Sequence, residues 1–574
     1  MRKFISVLLL ACALTVAPLS NAQAQRRSGN RPASLPKAGS SLSALAREDA
    51  NNITAAQLKN YLSFIASDEM EGRDTPSRGL DTTAKFIALN LARWGFKPAG
   101  DDGTYFQSIA LRRTKIDPAT TRMESGGRQY AYGEDFLAQP FATGSATGAL
   151  VYVGNGWIVK SKNINPYQSV NVKDKIVVVS DLGTGNGLPK GVTRAELTGK
   201  NGEDWADPAQ AAAKNGAKAI IYIPDYQSLA SWDRVRQTQL ERGNLFVEKF
   251  QTQDAPRLPL IVLSPKTVQA LFLGEKQTAS VLFNKGITGE AVESFELNAN
   301  KTVNLNVGVK AETLKTQNVV AVLEGSDPVL KNEYVALGAH YDHVGVGAPG
   351  AGRSTPKEGD ASRDVIYNGA DDDGSGTTAL LAMAETLGRE PQRPRRSILF
   401  VWHCGEEKGL WGSRYFTQNP TIPLNQVVTQ INIDMIGRSR FDGDAKAANK
   451  ELSNPNEIYV IGSKMMSTEL GDLSARVNKD YLNLAYNYRY DDVNDPNRFF
   501  FRSDHFNYAQ KGVPIIFFFD GVHEDYHRPT DSADKIDYQK MEKVTRTIYI
   551  TMQELANANA RPRVDKQLPQ ELRN

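Results

Sequence analysis

The sequence predicts an α/β fold: a mostly parallel or mixed sheet flanked by helices, with a smaller β-rich domain inserted into it. Three observations predict this. From residue 318 onward, apolar strand-like runs alternate with helical patterns, as in a sheet covered by helices. Over 143–285 the alternation gives way to short β-branched runs separated by Gly, Asn and Pro, which reads as a separate β-rich unit. At 574 residues the chain also exceeds what one hydrophobic core serves.

Residues 1–24 read as a signal peptide. Arg2 and Lys3 precede an apolar run over 4–17, and Ala22-Gln23-Ala24 gives a small-x-small cleavage pattern. Export to the periplasm or the extracellular space is therefore expected. Leu9-Leu10-Ala11-Cys12 faintly resembles a lipoprotein box, but Leu10 suits that box poorly and simple cleavage is preferred. No segment reaches the roughly 20 apolar residues of a membrane-spanning helix. Cleavage leaves Cys404 alone, which excludes an intramolecular disulfide. A net charge of +3 with acids and bases well mixed gives no electrostatic basis for a nucleic-acid or anionic-membrane partner.

The elements follow in order. Residues 25–45, rich in Ser, Gly, Arg and Pro, form a flexible leader. Residues 46–142 form the amino-terminal part of the main domain. There Thr54 and Gln57 fit a capping box, followed by Leu58, Tyr61, Leu62 and Ile65 at helical spacing. A second helix over 82–94 stops at Gly95, with Pro98 beyond. In the β-rich domain, strands are expected over 150–153, 175–179, 219–223 and 260–263, with a helix over 208–215. The main domain, 300–560, carries strands over 319–323, 334–339, 397–402, 427–433, 458–461 and 513–519, with helices over 377–387 and from 410.

Five polar clusters follow these strands: Gly338-Ala339-His340-Tyr341-Asp342, then Asn368 to Gly376 with its Asp371-Asp372-Asp373 run, then Gly405-Glu406-Glu407-Lys408-Gly409-Leu410. The last two are Asn432-Ile433-Asp434-Met435 and Asp525-Tyr526-His527-Arg528-Pro529-Thr530-Asp531. Ligands in such folds gather beyond the carboxyl ends of the strands. Two histidines and several carboxylates at one sheet edge are what a dinuclear hydrolytic site needs: a bridging carboxylate, a mixed His/carboxylate shell and a further carboxylate to move the proton of water. Neighbouring Glu406 and Glu407 point in different directions and can divide base and ligand between them.

The ordered set HxD, GADDDGSG, GEExGLxGS, NxDM and YHxPxD resembles the secreted bacterial di-zinc aminopeptidases, relatives of glutamate carboxypeptidase and the transferrin receptor. The resemblance spans 318–555 and, more loosely, 50–110, where Ser67-Asp68-Glu69-Met70-Glu71-Gly72-Arg73 matches the family's amino-terminal region. The β-rich segment resembles a protease-associated domain. The resemblance implies two zinc ions, with cobalt or manganese as substitutes, and release of amino-terminal residues from peptides. It implies His340 and Asp434 on one ion, Glu407 and His527 on the other, and Asp372 bridging. Glu406 would be general base and then acid, Tyr526 would donate to the oxyanion, and Asp342 would hold the His340 ring. A carboxypeptidase, a glutaminyl-cyclase-like relative and a non-catalytic receptor-like binding protein remain as alternatives. Residue preference and oligomeric state are not legible.

Plainer readings compete with these. His523-Glu524-Asp525-Tyr526-His527 spells HExxH, but that motif needs a helix, and Gly521, Pro529 and the preceding strand argue against one; His523 is then a surface or rim residue. A calcium loop starting at Asp371 lacks its Glu, because Ala382 stands at the twelfth position. His343 and His403 are expected as structural or rim residues, and Cys404 as an inert buried thiol. Arg502-Ser503-Asp504-His505 is expected to buttress the site, and Arg438 either to touch substrate or to close an ion pair. The loop over 345–367 is a candidate pocket wall.

Overall fold

The computed structural model describes residues 43–568 apart from 181–187, 225–231, 234–235, 237–242, 252–256, 289–291, 348–363 and 493. The expected signal peptide, most of the leader and the middle of the 345–367 loop lie outside these residues.

Long apolar runs build a ten-stranded mixed sheet. Its nine longer strands are β1 (Phe106–Ile116), β2 (Asn244–Val247), β3 (Val309–Leu323), β4 (Tyr334–His340), β5 (Ser397–His403), β6 (Val427–Ile433), β7 (Glu457–Ile461), β8 (Ala485–Asn487) and β9 (Ile515–Phe519). They lie in the order β2-β1-β3-β5-β4-β6-β9-β7-β8. The four central strands β5, β4, β6 and β9 are mutually parallel, whereas β3 meets β5, and β7 meets β9, antiparallel. Every residue of β5, β6 and β9 is buried, as expected of parallel strands covered on both faces.

Helices cover the sheet: α1 (Ala55–Ile65), α2 (Arg78–Arg93), α3 (Gly374–Arg389), α4 (Trp411–Gln418), α5 (Thr468–Asp480), α6 (His505–Gln510) and α7 (Tyr538–Asn557). The capping box at Thr54 and Gln57 forms. Helix α2 begins four residues before the expected 82, because Ser77 caps Leu80 N. In α3 the whole run from Gly374 to Leu387 is buried; its small residues let it pack within the core. No helix among the described residues is long and apolar enough to cross a membrane.

Strand β3 is ten residues longer than the sequence pattern indicated. Its first half is mostly exposed and pairs with β1 from Val309↔Ile116 to Val319↔Phe106, while β2 pairs with the other edge of β1 over Leu111–Thr114. Beyond this β1–β3 ribbon lies a second, nine-stranded sheet. It takes Gly144–Tyr152, Ile176–Ser180, Ala219–Ile223 and Leu260–Leu263 from the 143–285 stretch. It also recruits Arg122–Ser125, Arg128–Tyr130 and Phe136–Ala138 before that stretch, and Phe295–Glu296 and Thr302–Val307 after it. The second sheet closes its own apolar core around Tyr152, Val178, Ile221 and Leu305.

At the site end of β4, Gly338 lies where the sheet is tightest. An added Cβ would stand 2.7 Å from Gln430 Nε2 and 2.9 Å from His403 Cε1, both in buried side chains. Gly338→Ala is expected to destabilise the fold by about 1–3 kcal/mol. Thermal unfolding followed by circular dichroism measures it, and an unchanged midpoint would show that the two side chains yield freely.

Candidate metal centre

The parallel strands end level with one another: His340 pairs with His403, and Asn432 with Phe517. The loops leaving them carry the polar residues. His340 is the last residue of β4. Asp372 is joined to Asp373 by a cis peptide just before α3. Glu406 and Glu407 occupy the turn between β5 and α4, Asp434 follows β6, and His527 lies in the turn after β9.

The five residues expected to hold metal converge. Asp372 stands between two groups. Its Oδ1 is 3.2 Å from His340 Nε2, which is 3.7 Å from Asp434 Oδ1. Its Oδ2 is 3.1 Å from His527 Nε2, itself 3.1 Å from Glu407 Oε2. Glu406 Oε2 stands 3.9 Å from His340 Nε2. Burial alone would raise the Asp372 carboxyl, but the imidazoles of His343, His340 and His527 hold it well below the usual carboxylate range. Glu406 moves the other way: burial, aided by repulsion from Glu407 and Asp434 and opposed by the pull of His340, pushes it well above that range.

These residues fit divalent cations. His340 Nε2, Asp372 Oδ2 and Glu407 Oε1 are buried and meet no hydrogen-bond partner among the described residues, although each such atom left unpaired costs about 1–3 kcal/mol. Two sets, His340 with Asp372 and Asp434, and His343 with Asp372 and Glu407, bring donor atoms within 4.8 Å of one another. Imidazole and carboxylate are the donors zinc takes.

The surroundings refine several expectations. Asp342 holds the His340 ring through its backbone carbonyl, 3.1 Å from Nδ1. Its carboxylate Oδ1, 3.6 Å from the ring, instead accepts from Glu406 N, because residue 342 lies past the end of β4 and turns toward the next loop. Tyr526 stacks on His527 at 3.9 Å, and burial with Asp372 and Glu407 nearby raises its phenol well above the ordinary value, so it stays protonated. Arg438 closes an ion pair with Asp525 at 2.8 Å. Ser503 donates to Asp434 Oδ2 at 2.6 Å, a buttress from the expected segment. Asp504 faces His403 Nδ1 at 3.3 Å and Tyr508 meets its Nε2, so His403 is structural. Cys404 is fully buried, and its thiol is pushed upward by burial.

Two histidines depart from expectation. The HExxH segment is a turn, yet His523 is buried, with Nε2 3.3 Å from Asp371 Oδ2. His343 lies inside the donor cluster, its Nδ1 2.8 Å from Glu407 Oε1. Neither residue follows a strand period, so no spacing marked them; the one available signal was their place beside the motifs.

Residues 318–552 match the sequence model of Peptidase family M28. Leucine aminopeptidase 2 of Arthroderma otae is 30% identical over 167 residues, 28% of this chain and 29% of that protein. A probable zinc metalloprotease of Pyrenophora teres f. teres is 25% identical over 402 residues, 63% and 76% of the two chains. The chain spans under a third of the first curated relatives it matches. Among solved structures, the aminopeptidase from Aneurinibacillus sp. strain AM-1 aligns at a TM-score of 0.49 with 18% identity, over 91% of this chain and 98% of that one. Within the matched residues lie all five convergent donor residues.

Metal-free, the cluster holds protons. Burial lowers His527, but the close carboxylates of Asp372 and Glu407 outweigh it and raise it to about 10; Glu406, Asp434 and the Asp342 and Asp372 contacts likewise outweigh burial and raise His340. Ligand imidazoles are neutral, so at neutral pH metal binding expels protons and weakens as pH falls. Calorimetry of zinc binding in buffers of different ionisation enthalpy checks this, and buffer-independent heats would contradict it.

Proposed function

We propose that the protein is a zinc-dependent exopeptidase that releases amino-terminal residues from peptides at a two-ion centre. The observation that carries this reading is Asp372, whose two oxygens face separate donor groups at 3.2 and 3.1 Å, as a carboxylate shared by two ions does. His340 and Asp434 would hold one ion and Glu407 and His527 the other, and cobalt or manganese can substitute at such donors. Bound there, the ions supply a water of lowered pKa and polarise the scissile carbonyl.

The remaining steps belong to the chain's own residues. Glu406 stands beside the His340 group, takes the proton of the attacking water and passes it to the leaving amine. Its raised proton affinity suits a group that must hold that proton between two steps. Tyr526 donates its phenol to the carbonyl oxygen as charge develops. Beside Asp372, Glu406 and Asp434 opens a small pocket walled by Met435, Phe499, Arg502, Phe517, Phe519, Val522 and Tyr526, a place for the released residue. The matched leucine aminopeptidase and probable zinc metalloprotease support the same reading. The second sheet is read as a protease-associated lobe that roofs the cleft, and the amino-terminal segment as an export signal.

Two measurements test this. Free peptides should lose their first residue while amino-blocked peptides resist, and Glu406→Gln should lower kcat by about 10²–10⁴-fold with metal content unchanged. Cleavage confined to the interior of blocked chains would refute the direction; an undiminished Glu406→Gln enzyme would refute the base. For the roofing lobe, kcat/KM should fall as peptides lengthen, and a flat series removes that role.

A further inference from the structure

The group facing Asp372 Oδ2 contains one imidazole more than the two-ion reading assigns. His343 is fully buried. Its ring lies against the bare backbone of Gly369, where an added Cβ would come 2.5 Å from His343 Cγ, so the chain leaves room for this ring. Its Nδ1 is 2.8 Å from Glu407 Oε1 and 3.7 Å from Asp372 Oδ2, and its ring stands 5.6 Å from that of His527 at 70°. Neither ring nitrogen meets a partner with hydrogen-bond geometry among the described residues. The Nδ1–Glu407 contact thus lacks hydrogen-bond alignment, and a buried imidazole held that way beside two carboxylates needs a further partner.

The spacing says what the partner is. Donors 2.0–2.2 Å from a tetrahedral ion lie about 3.4 Å apart. Asp372 Oδ2 stands 3.7 Å from His343 Nδ1 and 3.1 Å from His527 Nε2, and Glu407 meets His343 through Oε1 at 2.8 Å and His527 through Oε2 at 3.1 Å. We propose that His343 is a ligand of the second ion, completing a four-donor protein shell with His527, Glu407 and the shared Asp372. The inference rests on the two-ion reading. It makes the centre unequal: His340, Asp434 and Asp372 give the first ion three protein donors and leave it the position open to water. The second ion is the tightly held one.

Cobalt(II) is the probe. The full chain, stripped with chelator and loaded with two equivalents, is examined for hyperfine-shifted, exchangeable imidazole N–H resonances. Three are expected, from His340, His343 and His527; two in the wild-type protein would overturn the assignment without recourse to a variant. His343→Gln should lose one of the three and weaken the tighter ion by more than about 100-fold, beyond the 10–100-fold cost of losing an outer hydrogen-bond partner. Three resonances in a folded His343→Gln protein would also overturn it. Uptake of no cobalt, or of one equivalent, by the wild type refutes the underlying two-ion reading instead, so the two failures are distinct.

Discussion

The arrangement of the site hangs on a carboxylate that belongs to neither donor group. Asp373 accepts three backbone N–H donors: His340 at the end of β4 (3.1 Å), Gly376 in the first turn of α3 (2.9 Å) and Met435 beyond β6 (3.1 Å). Each of these donors lies in or beside a segment that presents His340, Asp372 or Asp434, so one side chain fixes three of the converging groups. Its surroundings are dry, and burial with the Asp434 carboxylate close by pushes its pKa well up; three amide dipoles stand in for the water it has lost. Gly376 is part of the device, because an added Cβ would fall 2.4 Å from Asp373 Oδ1.

An outer ring of contacts holds the remaining pieces. Asp531 accepts from the amides of Asp371 and Asp372, which ties the turn after β9 to the start of α3. The Arg73 guanidinium reaches the same region from the amino-terminal segment. It donates to the carbonyls of Ile65, Tyr341, Asn368 and Gly369, while its own carbonyl accepts from His343 N. Glu71, Gly72 and Arg73 all have positive φ, an unfavourable run for the two residues other than glycine that four hydrogen bonds offset. Burial lowers this guanidinium to about 10 against the pull of Asp342, Asp531, Asp372 and Asp373. A fixed cation behind so many carboxylates reduces the cost of crowding them together.

Much of this was legible because strand periods and polar clusters are local. The parallel strands were placed within a few residues, and the five clusters at their ends named His340, Asp372, Glu407, Asp434 and His527, which the fold brings together. What stayed hidden depends on partners far away in sequence. The outer half of β3 is polar on both faces and becomes a strand only by pairing with β1. Strands at 122–138 and 295–307 read as parts of other units because their sheet partners lie elsewhere. His343 and His523 follow irregular backbone, where neither the two-residue nor the 3.6-residue period predicts direction. Arg73 carried no signal of burial, since arginine is rarely interior.

The β1–β3 ribbon bears on how the chain reaches this structure. Its two strands enclose the whole of residues 117–308, and Asp117 N meets Gly308 O where the ribbon hands over to the second sheet. Closing so long a loop in an unfolded chain is entropically expensive and slow. The second sheet solves this from inside: with its own core formed, the loop's ends already stand side by side and the ribbon can zip outward from them. With the second sheet folded, the span the ribbon must bridge is the short gap between Asp117 and Gly308 instead of the full 117–308 loop.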